Sequence, residues 1–392
     1  MSSDKTGHGP LRGLRVLEIS SVVMAPMAGR ILAKLGAEVT RVEAPSGDAI
    51  RRTGASRHTG MTGAALALND GKKNITVDMK SSTGPTELQS LIKNSDVILT
   101  NHLPRRRQTF GLDWPTVSSL NPSVILCTAQ GFSSHSDKAN TPAYDDTVQA
   151  AAGVCDVYAK AYGSPRFAPY IMADKVSATA IVYSILAALY YREKTGEGQW
   201  IDVPMVDVIV DFNLIEQLNE ATFEPPLGGA GWHRTLSPDR RPHQAIDGWV
   251  CIVTYTDQNW AEFLKLAGVI KPGAGQIPFA THQDRVSNSG AVQGIIADYA
   301  ADRTLAQIEA ECGRVGIPVQ RVNTVESLVN DPYLKASGAI KLVDHPTEGK
   351  IWQTSPNIAF SRTPLGPTSF ATNLDADRDE ILSSVNGGEE QL

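Results

Sequence analysis

The sequence is poor in most of the features that would settle a function at once. Only 6% of its 392 residues are aromatic, and its four cysteines (Cys127, Cys155, Cys251 and Cys312) are scattered with no C-x-x-C pair. That spacing argues against a disulfide framework or a cysteine-built zinc site and predicts buried free thiols. The eight histidines never form a close i,i+4 pair, so no metal centre is expected. With 36 Lys+Arg against 42 Asp+Glu, the chain lacks the basic excess of a nucleic-acid binder. A local basic pocket for a phosphate-bearing ligand stays compatible with that balance. The opening MSSDKTGHGP has no apolar core of the signal-peptide kind. The most apolar stretch, 176–191, is interrupted by Ser177, Thr179 and Ser184 and falls short of the roughly 20 residues of a membrane span. The expectation is a cytoplasmic protein with no nucleic-acid or membrane partner.

What is present is an α/β pattern. The length exceeds what one hydrophobic core usually fills, so two domains are expected. Strand-like runs at 14–19, 39–43, 96–100 and 123–128 alternate with helical spacing from Pro26 to Gly36 and at 87–93 and 114–120. Strands alternating with helices imply βαβ units and a parallel sheet, a Rossmann-like large domain. Its first strand–helix turn, Ser20-Ser-Val-Val-Met-Ala-Pro26, contains no glycine. The G-x-G-x-x-G fingerprint is therefore absent, which disfavours an ordinary nicotinamide dehydrogenase. Residues 176–193 are apolar on nearly every face and read as a helix buried in a large core, followed by a strand at 198–203. Pro225, Pro226, Gly228, Gly229, Gly231 and Pro238 mark a linker. Beyond it, Asp247-Gly248 signals a hairpin, and helices are expected at 259–266 and 291–301. The expected division is a large domain over 1–222, a smaller α+β domain over 223–330, and a segment 331–392 that returns to the large one. The acidic tail 387–392 is expected to fray.

Few residues stand out for their chemistry. Gly131-Phe-Ser-Ser-His135 lacks the second glycine of a nucleophile elbow. Arg105-Arg106-Arg107 reads first as a solvated loop and second as a phosphate clamp beyond a strand end. Lys72-Lys73, after Asp70-Gly71, has the same two readings. Asp174 immediately precedes the long apolar helix. It is either an N-cap that satisfies backbone N–H groups or a carboxylate nucleophile at the mouth of a pocket. The residues alone leave that choice open.

Several segments together resemble the class III CoA-transferase family, which includes formyl-CoA and carnitinyl-CoA transferases. They are Leu11-Arg-Gly-Leu-Arg-Val-Leu-Glu-Ile19, Leu35-Gly-Ala-Glu-Val-Thr-Arg-Val-Glu43 with Pro45 and Gly47-Asp48, and Asn69-Asp-Gly-Lys-Lys-Asn-Ile-Thr-Val-Asp78. Asp96-Val-Ile-Leu-Thr-Asn101, Ala187-Ala-Leu-Tyr-Tyr-Arg-Glu-Lys-Thr-Gly-Glu-Gly-Gln199 and Gly316-Ile-Pro-Val-Gln-Arg-Val-Asn-Thr-Val325 follow in order. The match runs from about Leu11 to Leu334.

The resemblance implies a CoA-transferase that moves CoA between an acyl-CoA donor and a carboxylic acid acceptor. Asp174 would be the nucleophile, through acyl-aspartyl and aspartyl-CoA intermediates. CoA would be a substrate, with no tightly bound cofactor and no metal. The CoA contacts carried over are Val23, Met24, Lys72, Lys73, Asn101, His102, Leu103, Arg105, Arg106, Tyr144 and Asp145. Gly228, Gly229 and Gly231 resemble a glycine loop that closes over the site in some transferases. Ala44 stands where some members have an adenosine-contacting arginine, and Ala178 where a glycine is usual. Acyl-CoA racemases are the alternative, but their catalytic histidine falls where this chain has Tyr144. A catalytically silent CoA-binding protein is a second alternative. The family's shape implies an interlocked homodimer.

Overall fold

A computed structural model describes residues 8–271, 275–366 and 368–386; the acidic tail 387–392 lies outside the described residues. The chain forms two compact units. The larger draws on residues up to Gly153, on Ala168–Phe212 and on the chain from Asp331 onward. The smaller takes Val154–Phe167 and Asn213–Asn330.

The larger unit is built on six strands: β1 (Arg15–Ile19), β2 (Glu38–Glu43), β3 (Lys72–Thr76), β4 (Val97–Thr100), β5 (Ile125–Gln130) and β6 (Gln199–Pro204). They pair in the order β3-β2-β1-β4-β5-β6, every pair parallel. Helices cover both faces, which is why Val97–Leu99 and Ile125–Cys127 are fully buried, continuous apolar runs. One face packs Leu17, Ile98 and Leu126 against the helices Gly84–Lys93, Trp114–Leu120 and Arg378–Asn386. The strand order reverses between β1 and β4. Their carboxyl ends therefore splay apart and open a crevice, the place where open α/β sheets bind ligands.

The other face carries a buried ionic network on β1–β3. Arg41 donates to Glu18 and Asp48 at 2.7 Å each and to Glu43 at 3.3 Å. Lys72 lies 2.7 Å from Glu18 and donates to the Pro26 carbonyl. Burial opposes ionisation of Glu43, but Arg51 and Arg41 hold its pKa at about 2. The helix Met24–Lys34 crosses this network at Gly29, where a Cβ would stand 1.9 Å from the Glu18 carboxylate. Only glycine lets the helix come so close.

At the sheet's edge, the C-terminal segment satisfies the backbone of β3. Asn74 and Thr76 donate their N–H groups to Asp377 and Asp375, at 2.7 Å each. A hairpin of β10 (Ile340–His345) and β11 (Gly349–Thr354) also belongs to this unit. In the smaller unit, β7 (His243–Ala245), β8 (Gly248–Ile252) and β9 (Val319–Arg321) form an antiparallel sheet over a core containing Trp260, Phe263 and Ile308. The expected hairpin is present, but Ala245 pairs with Gly248, which moves the turn back one residue to Ile246-Asp247.

Three expectations are corrected. The long helix spans Ala173–Thr195 and is not buried all round. Its Ala178, Ile181, Ile185 and Ala188 face inward, while Tyr183 and Tyr190 are 62% and 69% exposed. The tripeptide Arg105–Arg107 lies in a helix, Pro104–Phe110, closed by Gly111 at φ 67°, rather than in a loop. Cys127 and Cys312 are buried, but Cys251 is exposed.

Candidate active site

The site forms where β1 and β4 diverge. The chain leaving β1 is tied to the chain leaving β4 by the Asn101 side chain, which accepts from Ser21 N–H at 3.0 Å and donates to the Ser21 carbonyl at 2.8 Å. The next residue, Val22, has φ 66°, a left-handed conformation that a β-branched residue adopts only under constraint. Its N–H donates to Asp48 at 2.9 Å, so the ionic network beneath the sheet holds this turn in place.

Beyond the turn lies a cavity of about 230 Å3. Val23, Met24, Asn101, His102, Leu103, Arg106, Tyr144 and Asp174 all line it. These residues come from four separated segments, and each was singled out from the sequence. Larger cavities of about 440 and 470 Å3 occur elsewhere in the same unit, but neither holds Asp174.

Asp174 lies in the first turn of the helix Ala173–Thr195, where Met172 occupies the N-cap position without a side-chain cap. The capping reading of Asp174 therefore does not hold. Among the described residues no donor is hydrogen-bonded to its carboxylate, although the residue is 9% exposed. Burial raises its pKa to about 6, with the Asp145 carboxylate adding to the effect. Asp145 does not line the cavity. Its Oδ1 accepts the backbone N–H of Asp174 at 3.1 Å, and its Oδ2 accepts from Gln149.

The basic residues divide sharply. Arg106 lines the cavity and lies 5.1 Å from the centre of the Phe110 ring. Arg107 is buried, bonded to Gln130, Ser134 and the His102 carbonyl. Arg105 is exposed and absent from the lining. Lys72 is also absent, because its ammonium is held by Glu18 and the Pro26 carbonyl; burial there lowers its pKa to about 8. Lys73 pairs with Glu380 on the surface instead. His102 is pushed down to about 4 by burial and by Arg106 and Arg107, so its ring is neutral near pH 7.

Gly228, Gly229 and Gly231 belong to the smaller unit. Gly228 is crowded by Glu220, 1.7 Å from where a Cβ would stand, and Gly231 has φ 123°.

Sequence reasoning missed Gln130, Gly131, Pro142, Ala143 and Met205 in the lining, and Asp48 and Gln149 behind it. Gly131 carried a usable signal. It belongs to no nucleophile elbow; a Cβ there would lie 2.2 Å from that of Ala143, so glycine lets two cavity segments touch.

A family model described as CoA-transferase family III matches residues 11–378. The chain is 29% identical to a succinate–glutarate CoA-transferase of Agrobacterium fabrum, covering 96% of each protein. It is 26% identical to a succinyl-CoA–D-citramalate CoA-transferase of Chloroflexus aurantiacus, over 99% of this chain and 96% of that protein. Among solved structures, a CaiB/BaiF family protein from Brucella suis superposes with a TM-score of 0.82 at 26% identity, covering 96% of this chain and all of the other. A match over nearly the whole length, on a sheet whose order reverses beside Asp174, leaves one assignment: the chain belongs to CoA-transferase family III.

Proposed function

We propose that this enzyme transfers CoA from an acyl-CoA to a free carboxylic acid, with Asp174 as the covalent nucleophile and the larger unit as the CoA-binding, catalytic domain. One observation carries this reading. Asp174 is a carboxylate in a shielded cavity wall, close to another carboxylate and without hydrogen-bond donors among the described residues. A carboxylate deprived of donors is poorly solvated and correspondingly nucleophilic.

The steps balance as two exchanges. The Asp174 carboxylate attacks the thioester carbonyl, the C–S bond breaks, and CoA thiolate leaves an acyl-aspartyl anhydride. The thiolate then attacks the aspartyl carbonyl, which releases the donor's acid and forms aspartyl-CoA. The acceptor carboxylate attacks that thioester and gives a second anhydride and thiolate. The thiolate finally attacks the acceptor's carbonyl and restores Asp174. Holding the thiolate beside the anhydride makes its return effectively unimolecular. Asn101, His102, Leu103 and Arg106 would flank the CoA chain, and Val23 and Met24 would wall the acyl group, which favours a group bulkier than formyl. Because the named relatives act on succinyl and glutaryl groups, short dicarboxylic acids are the first acceptors to try.

A cytoplasmic homodimer completes the proposal. The outward apolar face of Ala173–Thr195, with Tyr183, Leu186 and Tyr190 exposed, supports burial against a second copy. Its solution mass tests that.

For the chemistry, the protein is incubated with a panel of acyl-CoAs, quenched with hydroxylamine, and its peptides are mapped by mass spectrometry. A hydroxamate at Asp174, absent in Asp174→Asn, is the expected result. Exchange of the acyl α-proton into deuterium oxide without an adduct would instead establish a racemase, and binding with neither reaction a silent binder.

A further inference from the structure

The smaller unit holds a cavity of about 330 Å3 between β8, the segment 240–242 and the helices His282–Ser287 and Ser289–Ala301. Its lining includes Arg234, Arg240, Arg241 and Arg285, and no aspartate or glutamate. Such one-signed lining is unusual in a chain whose net charge is −6.

The four arginines play different parts. Arg285 is buried and saturated, donating to the carbonyls of Tyr255, Phe279 and Ala280 and to Asp257 at 2.7 Å. It is scaffold. Arg234 is held by rings, 5.4 Å from the centre of Tyr255 and 5.9 Å from that of Trp232. Aromatic faces fix a guanidinium in place without neutralising it, and leave its N–H edge free for an anion. Arg240 and Arg241 have no ion pair among the described residues and stand at the exposed rim. Ile252, Val253, Val286 and Ile296 make the floor apolar.

Three unneutralised guanidiniums around one small cavity repel each other and are relieved by a bound anion. A guanidinium offers paired N–H donors that match a carboxylate or a phosphate. An apolar floor suits a short carbon body between charged groups.

We propose that this cavity is an anion-binding site for a small organic dianion, either a dicarboxylate or a phosphate monoester. None of its lining residues takes part in the cavity of Asp174, so the proposal does not depend on the transfer mechanism.

The test is thermal unfolding of the full-length protein against sodium succinate and inorganic phosphate, with sodium chloride at matched ionic strength. A saturable rise in Tm beyond the chloride control is expected, because a ligand that binds only the folded state stabilises it by mass action. In Arg240→Ala/Arg241→Ala, and separately in Arg234→Gln, the half-saturating concentration should rise at least about tenfold. Asp174→Asn should leave it unchanged. A response to succinate alone assigns a dicarboxylate, and a response to phosphate alone assigns a phosphate ligand. No rise above chloride, or a rise unaffected by both arginine variants, overturns the proposal.

Discussion

The carboxylate of Asp145 accepts the backbone N–H of Asp174 at 3.1 Å, so the residue that adds to the effect of burial in raising the Asp174 pKa also fixes where Asp174 sits. Position and ionisation are coupled through one side chain.

That coupling predicts a pH shift. Asp174 ionises near pH 6 in the folded protein instead of 3.8. Folding therefore favours its protonated form: its contribution to stability is complete below about pH 4 and is lost as pH rises through about 6. In the proposed mechanism attack needs the carboxylate, so activity should rise across the same interval. Asp145→Asn keeps an oxygen for the Asp174 N–H but removes the charge. The acid limb of kcat/KM should move down by up to about 1 pH unit, burial remaining as the larger cause. Asp174→Asn should gain on the order of 1–3 kcal/mol at pH 8 in urea unfolding. An acid limb that stays in place in Asp145→Asn rules the coupling out.

His102 lines the same cavity and could be mistaken for the titrating group. Burial and two arginines lower its pKa to about 4, so its neutral form persists well below pH 6. Here the sign is reversed: a depressed histidine weakens the fold as pH falls from about 6.5 toward 4. In His102→Gln the acid limb should remain near pH 6, and the His102 ring resonances of the parent should not titrate between pH 5.5 and 8.

At Gly29 helix propensity and packing give opposite signs. Alanine in a helix interior is favoured by roughly 1 kcal/mol. Yet the added methyl would meet the Glu18 carboxylate, which Arg41, Lys72 and Ser20 hold in place. Gly29→Ala should therefore lose about 1–3 kcal/mol in a urea titration. A gain would mean that the network yields.

Val22 is held left-handed by the bond from its N–H to Asp48. Glycine relieves that strain and keeps the N–H. Val22→Gly should raise the midpoint of urea unfolding by the equivalent of about 0.5–1 kcal/mol. A clear loss would show that the valine side chain, not the turn, matters there.

Much of this was legible in the sequence because apolar periodicity reports burial. β1, β2, β4, β5 and β6 and the helix Trp114–Leu120 lie within about two residues of their expected places. β3 was not read as a strand, because Lys72-Lys73-Asn-Ile-Thr76 is polar where a parallel sheet is normally apolar. Its lysine is buried against a glutamate two strands away, a pairing no local pattern reveals. The same blindness made Lys72 look like a phosphate ligand. Asp174 could be singled out because it stands beside a long helix. Asp145 and Asp48 act through contacts 29 and 26 residues distant, and nothing near them in the chain announces those partners.

The bonds from Asn74 and Thr76 to Asp377 and Asp375 also have a temporal consequence. A ribosome makes β3 long before its covering segment. During synthesis the edge of the sheet therefore waits, open to any passing strand, while the whole smaller unit emerges and can fold. Stalled nascent chains ending near residue 370 should be protease-sensitive in the larger unit and protected in the smaller. A stretch made late thus works as the latch on a domain begun much earlier.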